Sequence, residues 1–226
     1  MDLFTSIKYL LSVLGNGHSK EEVPIPPKIE VPLMKDIITK PKLDLTLDTS
    51  YKWKGIVWHH SASPDKPLLE DWPAIVRYHT SYRIDGVIVT EEVFNERESK
   101  KQGHLFEKPW RDVGYHGGVE LVNNIPVFHF GRPLTMTGAH AAVKNVSSIY
   151  NETHIGLCAI GNYDKMAPSK ELWEFCLKTT RSFMASFDID IDNILGHREV
   201  YDKLSVPRQK SCPGNLWDMD LFRSQL

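Results

Sequence analysis

The chain has 226 residues, 41% of them hydrophobic and 25% charged, with a formal net charge of −2 at pH 7. This is ordinary globular composition, with room for one domain and an appendage. A pI near 6.5 excludes the basic footprint of a nucleic-acid binder but says nothing against a carbohydrate–peptide polymer as partner.

Residues 3–14 place Leu3, Phe4, Ile7, Leu10, Leu11 and Leu14 at helical spacing, and Gly15 and Gly17 end the pattern. The polar face has one lysine and no arginine. The stretch therefore reads as a short helix packed on the domain or on a second copy, rather than as a membrane-surface helix. Asp2 and the lack of a basic leader argue against a signal peptide. No apolar run reaches the ~20 residues of a membrane span, so no integral membrane segment is expected. Pro24, Pro26, Pro27, Pro32 and Pro41 make residues 20–50 a linker or extended arm. The expected division is an arm over 1–50 and one domain over 51–226, with the oligomeric state left open.

From residue 54 the character changes. GIVWHH reads as a buried strand delivering His59 at its C-terminal end. Leu69, Trp72, Ile75, Val76 and His79 predict a helix over about 70–82. Gly86 opens an insert with a short strand around Ile88 and a charged helical stretch to about 101. The insert either borders a groove or is a solvated excursion. Tyr115–Val122 and Ile125–Phe130 flank Asn123-Asn124, a hairpin signal. Loop and short helix follow over 131–152. Ile155–Ile160 is a continuous apolar run, hence a central strand buried on both faces. Ser169 caps a helix bearing Leu172, Phe175, Cys176, Phe183 and Phe187. Ile191–Leu195 is a short strand leading to His197. The fold class is α/β, a mixed central sheet flanked by helices.

The cysteines number three, Cys158, Cys176 and Cys212. An odd count argues against a disulfide framework and for a reducing compartment, so cytoplasmic localisation is expected. Cys158 and Cys176 sit in apolar patterns and read as small buried hydrophobes. Cys212 differs: it has polar neighbours and precedes Pro213-Gly214, a turn. With His197 and Lys210 it forms a cluster of an imidazole, a thiol and an amine. A catalytic zinc needs three protein ligands and an open position. The third ligand has an evident source in His59 and His60. Adjacent strand residues face opposite ways, so only one of the two can serve.

Six segments occur in one order: WHHSAS at 58–63, RDVGYHGGVE at 111–120, FGRPLTMTGAHA at 130–141, THIGLCAIGNYD at 153–164, GHREV at 196–200 and KSCPG at 210–214. In these segments the chain resembles the zinc-dependent N-acetylmuramoyl-L-alanine amidases, which include amidase-type phage lysozymes and peptidoglycan recognition proteins. The resemblance covers roughly residues 51–226. It implies the same mixed α/β fold, zinc as cofactor and peptidoglycan as partner. The implied ligands are His59, His197 and Cys212, with Tyr115 and Lys210 as catalytic groups. The implied reaction is hydrolysis of the amide between the muramic acid lactyl group and L-alanine. A phage or prophage lysin acting on the wall after release fits this best. The alternatives are a cytosolic muropeptide-recycling amidase and a non-enzymatic peptidoglycan-binding or virion-associated module. His140, Asn151 and Thr153 are candidate substrate contacts. His60 and Glu199 are candidate supporting groups, Glu199 as an acceptor for His197. His116 and His129 read as structural. His18, His79, His104 and His154 are given no role.

Overall fold

The computed structural model of the chain describes residues 53–64 and 70–226. The expected helix over 3–14 and the proline-rich arm lie outside the described residues.

The main sheet has five strands, ordered β6-β5-β7-β1-β8. They are β1 (Gly55–His60), β5 (Gly117–Val122), β6 (Ile125–Phe130), β7 (His154–Ala159) and β8 (Ile194–Gly196). β5, β7, β1 and β8 pair in parallel, and β6 joins β5 as an antiparallel edge. β1 and β7 are buried along their whole length, as continuous apolar runs in a parallel sheet must be.

β1 alternates strictly. Ile56 and Trp58 enter a core roofed by α4 (Lys170–Phe187) and α6 (Met219–Ser224), where Trp58 stacks on Trp217 with centroids 5.8 Å apart. Val57 faces the other way, toward Ala141, Leu195 and Val200. His59 therefore follows Val57 onto the second face, and His60 follows Trp58 onto the first. The second face is covered by the 131–148 loop, by α5 (His197–Lys203) and by α1 (Trp72–His79), whose Ile75 and Val76 pack near Cys158 and Tyr115.

Local signals explain the helix starts. Ser169 accepts from Leu172 N at 3.2 Å and caps α4. The start of α1 is capped from a distance: buried Glu120 accepts from Asp71 N at 2.7 Å and Trp72 N at 3.1 Å. His129 lies 2.8 Å from the same carboxylate, so its place is structural.

The insert forms its own small sheet, ordered β3-β2-β4, from β2 (Arg83–Ile84), β3 (Val87–Ile88) and β4 (Phe106–Glu107). α2 (Glu91–Ser99) covers it with Phe94, which is fully buried and meets the rings of Tyr82 and Phe106. A five-residue helix, α3 (Ile149–Thr153), leads into β7.

Three expectations need correction. The strand expected at 115 starts at Gly117; Tyr115 precedes it, though its carbonyl still accepts from Arg132 N at 2.8 Å. The strand expected over 191–195 is β8, preceded by a single 3₁₀ turn over Ile191–Asn193. His197 is not a strand end but the first residue of α5. Five polar or charged residues in seven hid that helix, since HREVYDK has too few turns to show a stripe.

Candidate functional site

His59, His197 and Cys212 arrive from three elements at one point. His59 is the fifth residue of β1, at the C-terminal end of a parallel strand, where ligands gather in open α/β sheets. His197 opens α5 beside it, with the two rings 4.6 Å apart. Cys212 comes in on a loop held from several sides. A Cβ on Gly196 would lie 2.7 Å from Pro213 Cδ, so the missing side chain lets the cysteine loop close against β8. Arg198 N donates to the Cys212 carbonyl at 2.7 Å, and the Arg198 guanidinium donates to the carbonyls of Ser211, Gly214 and Trp217. Asp164 adds the Ser211 hydroxyl at 2.7 Å and Asn215 N at 2.8 Å.

The donor atoms of the three residues all lie within 4.8 Å of one another, and all three residues are buried. Cys212 Sγ is 3.6 Å from His59 Nδ1. A tetrahedron with Zn–S of about 2.3 Å and Zn–N of about 2.0–2.1 Å has an N···S edge of about 3.5 Å. His197 Nε2 is buried with no hydrogen-bond partner among the described residues. Such an orphan costs free energy unless something accepts its lone pair. A borderline-soft cation fits this set of two imidazoles and one thiol.

The protonation states suit the same purpose. Burial, with His197, His140 and Lys210 adding to it, holds His59 far below the usual histidine range. Burial and the Lys210 ammonium lower His197 to about 3. Both rings are neutral at pH 7, with a free lone pair each. Burial pushes the Cys212 thiol up to about 12, against the pull of the His60 amide and Lys210. The His60 N–H points at Cys212 Sγ from 3.4 Å, ready to stabilise a thiolate.

Above these residues opens a cleft of about 460 Å³. Tyr115 and Lys210 line it, as does His60. The Tyr115 ring is 5.1 Å from that of His59. Burial, and the thiols of Cys158 and Cys212, raise its phenol well above the ordinary value, so it stays protonated and can donate.

The other candidates divide. His140 lines the cleft and stands against His59, its Nδ1 3.0 Å from His59 Nε2. Asn151 does not line the cleft: its Oδ1 accepts from His140 N at 2.8 Å and Ala141 N at 2.7 Å, stapling the loop that carries His140. Thr153 is also away from the cleft, its hydroxyl donating to Ile149 O at 2.7 Å. Glu199 does not receive His197. Its carboxylate accepts from Gly196 N at 2.8 Å and pairs with Arg223 at 2.9 and 3.0 Å, closing the first turn of α5. His116 is satisfied on both nitrogens, by Met136 O at 3.0 Å and Gly156 N at 2.9 Å.

Two wall residues escaped the sequence reading. His79, at the end of α1, lines the cleft and stacks on Trp110, centroids 4.6 Å apart. Burial and the charges of Arg83 and Arg132 lower it to about 4. No local pattern announces either residue, because thirty positions of insert separate them. Arg198, the loop clamp, was equally silent in GHREV.

A family model described as N-acetylmuramoyl-L-alanine amidase matches residues 49–215. No curated protein sequence matches the chain. Among solved structures, it is similar to the N-acetylmuramoyl-L-alanine amidase LysC from Clostridium intestinale URNW, at 17% identity and a TM-score of 0.46, over 77% of this chain and 85% of that one. It is similar to bumblebee PGRP-SA at 16% identity and 0.49, over 75% and 80%. It is also similar to a variant of Drosophila PGRP-LB in complex with tracheal cytotoxin, at 18% identity and 0.47, over 76% and 82%.

Proposed function

The chain belongs to the N-acetylmuramoyl-L-alanine amidase family, and from that premise we propose that it is a zinc-dependent hydrolase of the lactyl–L-alanine amide in peptidoglycan. The observation that carries the zinc is the convergence of His59, His197 and Cys212, with His197 Nε2 otherwise unpartnered. His59, His197 and Cys212 would hold a zinc ion, which would supply Lewis acidity to the scissile carbonyl and to a water at neutral pH.

The chain's own residues do the rest. The neutral rings of His59 and His197 offer lone pairs without first losing a proton. The thiol of Cys212 gives up its proton on metal binding, and the His60 amide steadies the resulting charge. Tyr115 keeps its phenolic proton and donates to the oxygen on which negative charge grows. Lys210, exposed at the cleft, brings a positive charge to it. Between them they stabilise the oxyanion and supply a proton to the leaving amine. Retention of Cys212 and Tyr115 favours an enzyme over a binding module.

We extend the proposal to a lysin acting on intact wall. Lys210 is exposed and Trp110 is 36% exposed on the cleft walls, so the site faces outward to a polymer. Incubation with purified sacculi and with soluble muropeptides tests both halves. Release of new alanine amino termini from intact wall supports the lysin. Turnover of soluble fragments alone supports recycling, and appearance of reducing sugars without new amines removes the amidase.

A further inference from the structure

The insert is joined to the cleft through one buried cation. Arg83 is 1% exposed and lies on β2, outside the cleft itself. Its Cζ sits 4.3 Å from the ring centroid of Tyr78 and 5.6 Å from that of Trp110. Nη1 donates to Tyr78 O at 2.6 Å, and Nη2 lies 3.2 Å from Glu107, the residue opposite Arg83 on β4. Trp110 in turn stacks its ring on His79, and its backbone N–H donates to the His79 carbonyl at 2.9 Å. His79 is 5.4 Å from Tyr115, which is 5.1 Å from His59. An unbroken series of rings thus runs from the insert to the metal ligands.

Stability alone does not explain an arginine here. Its Nε is buried without a partner among the described residues, and its acidic partner is part-exposed. Burying an incompletely paired cation is costly, and an apolar side chain of similar volume is often as stable or more so. What an apolar chain lacks is a planar charge that holds an aromatic face.

We propose that Arg83 is a positioning residue for the substrate groove. Its guanidinium holds Trp110 against His79, and so lets the insert set the shape of the wall that receives the muramyl-peptide. This rests on the amidase reading above. Arg83 touches neither substrate nor metal; it acts through Trp110.

The test uses the zinc-loaded full chain and a soluble muramyl-peptide. Arg83→Met should keep its zinc and raise KM about tenfold, the range of a desolvated cation–π contact. kcat should stay within about threefold, because only uniform binding is lost. Arg83→Lys should not restore KM, since an ammonium lacks the plane. In a Trp110→Ala background, Arg83→Met should add nothing further. An unchanged KM in Arg83→Met, or a full second penalty in the Trp110→Ala background, overturns the proposal. If Arg83→Met does not fold, Arg83→Lys decides the matter: a wild-type KM there overturns it too. If the wild-type protein cuts only intact wall, the same variants are compared on purified sacculi; a wild-type protein that releases alanine amino termini from neither substrate sinks the amidase reading and this inference together. Normal wild-type turnover with indifferent variants removes this inference alone.

Discussion

His59 Nε2 lies 3.0 Å from Nδ1 of His140, and His140 Nε2 lies 3.1 Å from the carbonyl of His154. The carbonyl can only accept, so His140 carries its proton on Nε2 and presents a bare Nδ1. His59, neutral like His140, must then donate from Nε2. Its Nδ1 is left as a lone pair directed at the Cys212 side of the site. His140 thus fixes the tautomer and the angle of a proposed ligand, the role that second partners play around metals. Its ring fits because Gly156 has no side chain: a Cβ there would lie 2.4 Å from His140 Cδ2.

The first prediction follows from that pair. His140→Ala should weaken zinc binding by about 10–100-fold without removing a ligand. Competition against a chromogenic chelator measures it. Wild-type affinity in the variant would show that His140 lines the site without tuning it.

Ligand identity gives a second prediction. His59→Ala should lose the metal, whereas His60→Ala should hold it, because the His60 ring accepts from Tyr163 N at 3.2 Å on the other side of β1. Elemental analysis of both variants decides. The reverse result would shift the register of the site by one residue.

Zinc uptake should depend on pH through Cys212. Its thiol titrates at about 12 in the metal-free protein, so at pH 7 it must lose a proton on binding. His197, at about 3, has none to lose. Apparent affinity should therefore rise roughly tenfold per pH unit between about pH 5 and 9, with about one proton released. Calorimetry in buffers of different ionisation enthalpy counts that proton. A slope near zero would mean the thiolate is already formed without metal.

Acid should also unfold the metal-free protein. Burial lowers His116, His79 and His154 to about 4. Below the unfolded value near 6.5 the unfolded chain binds protons that the folded chain refuses, so stability falls with falling pH. The loss grows from about pH 6.5 down to about 4, by at most ~1.4 kcal/mol per histidine per pH unit. Urea denaturation at stepped pH should show it. A flat profile in that window would place these histidines in contact with water.

Much of this was legible in the sequence. The run GIVWHH carried the strand and the limit that only one of its two histidines can face a given side, because strand alternation is strict; the preference for His59 came from the family resemblance. The hairpin at Asn123-Asn124 and the Ser169 cap were equally local signals, and both left-handed asparagines sit where a two-residue turn needs them. What stayed hidden was long-range. Asn151 and Thr153 looked like contacts but serve the loop and the helix end. Glu199 looked like a partner of His197, yet its own helix N-terminus claims it three residues back. The proximity of His79 to Trp110, and of both to Arg83, depends on how the insert folds back, and no spacing encodes that.

The proposed catalytic groups separate from the proposed ligands in one further comparison. Tyr115→Phe and Lys210→Ala should retain zinc and lose kcat more than they raise KM. Removal of one oxyanion donor costs about 10²–10³ in rate, or ~2.7–4 kcal/mol. Tyr115→Phe should show the larger loss, since Lys210 is exposed and water partly replaces it. Wild-type rates in both would leave the reaction to the metal site alone.

The most direct measurement is the zinc content of the wild-type protein set against its cleavage of purified cell wall. About one zinc per chain is expected, from three protein ligands and one open position. Stripping the metal should abolish release of new alanine amino termini, and adding zinc back should restore it. Full release by metal-free protein would contradict the account, whatever the geometry of His59, His197 and Cys212.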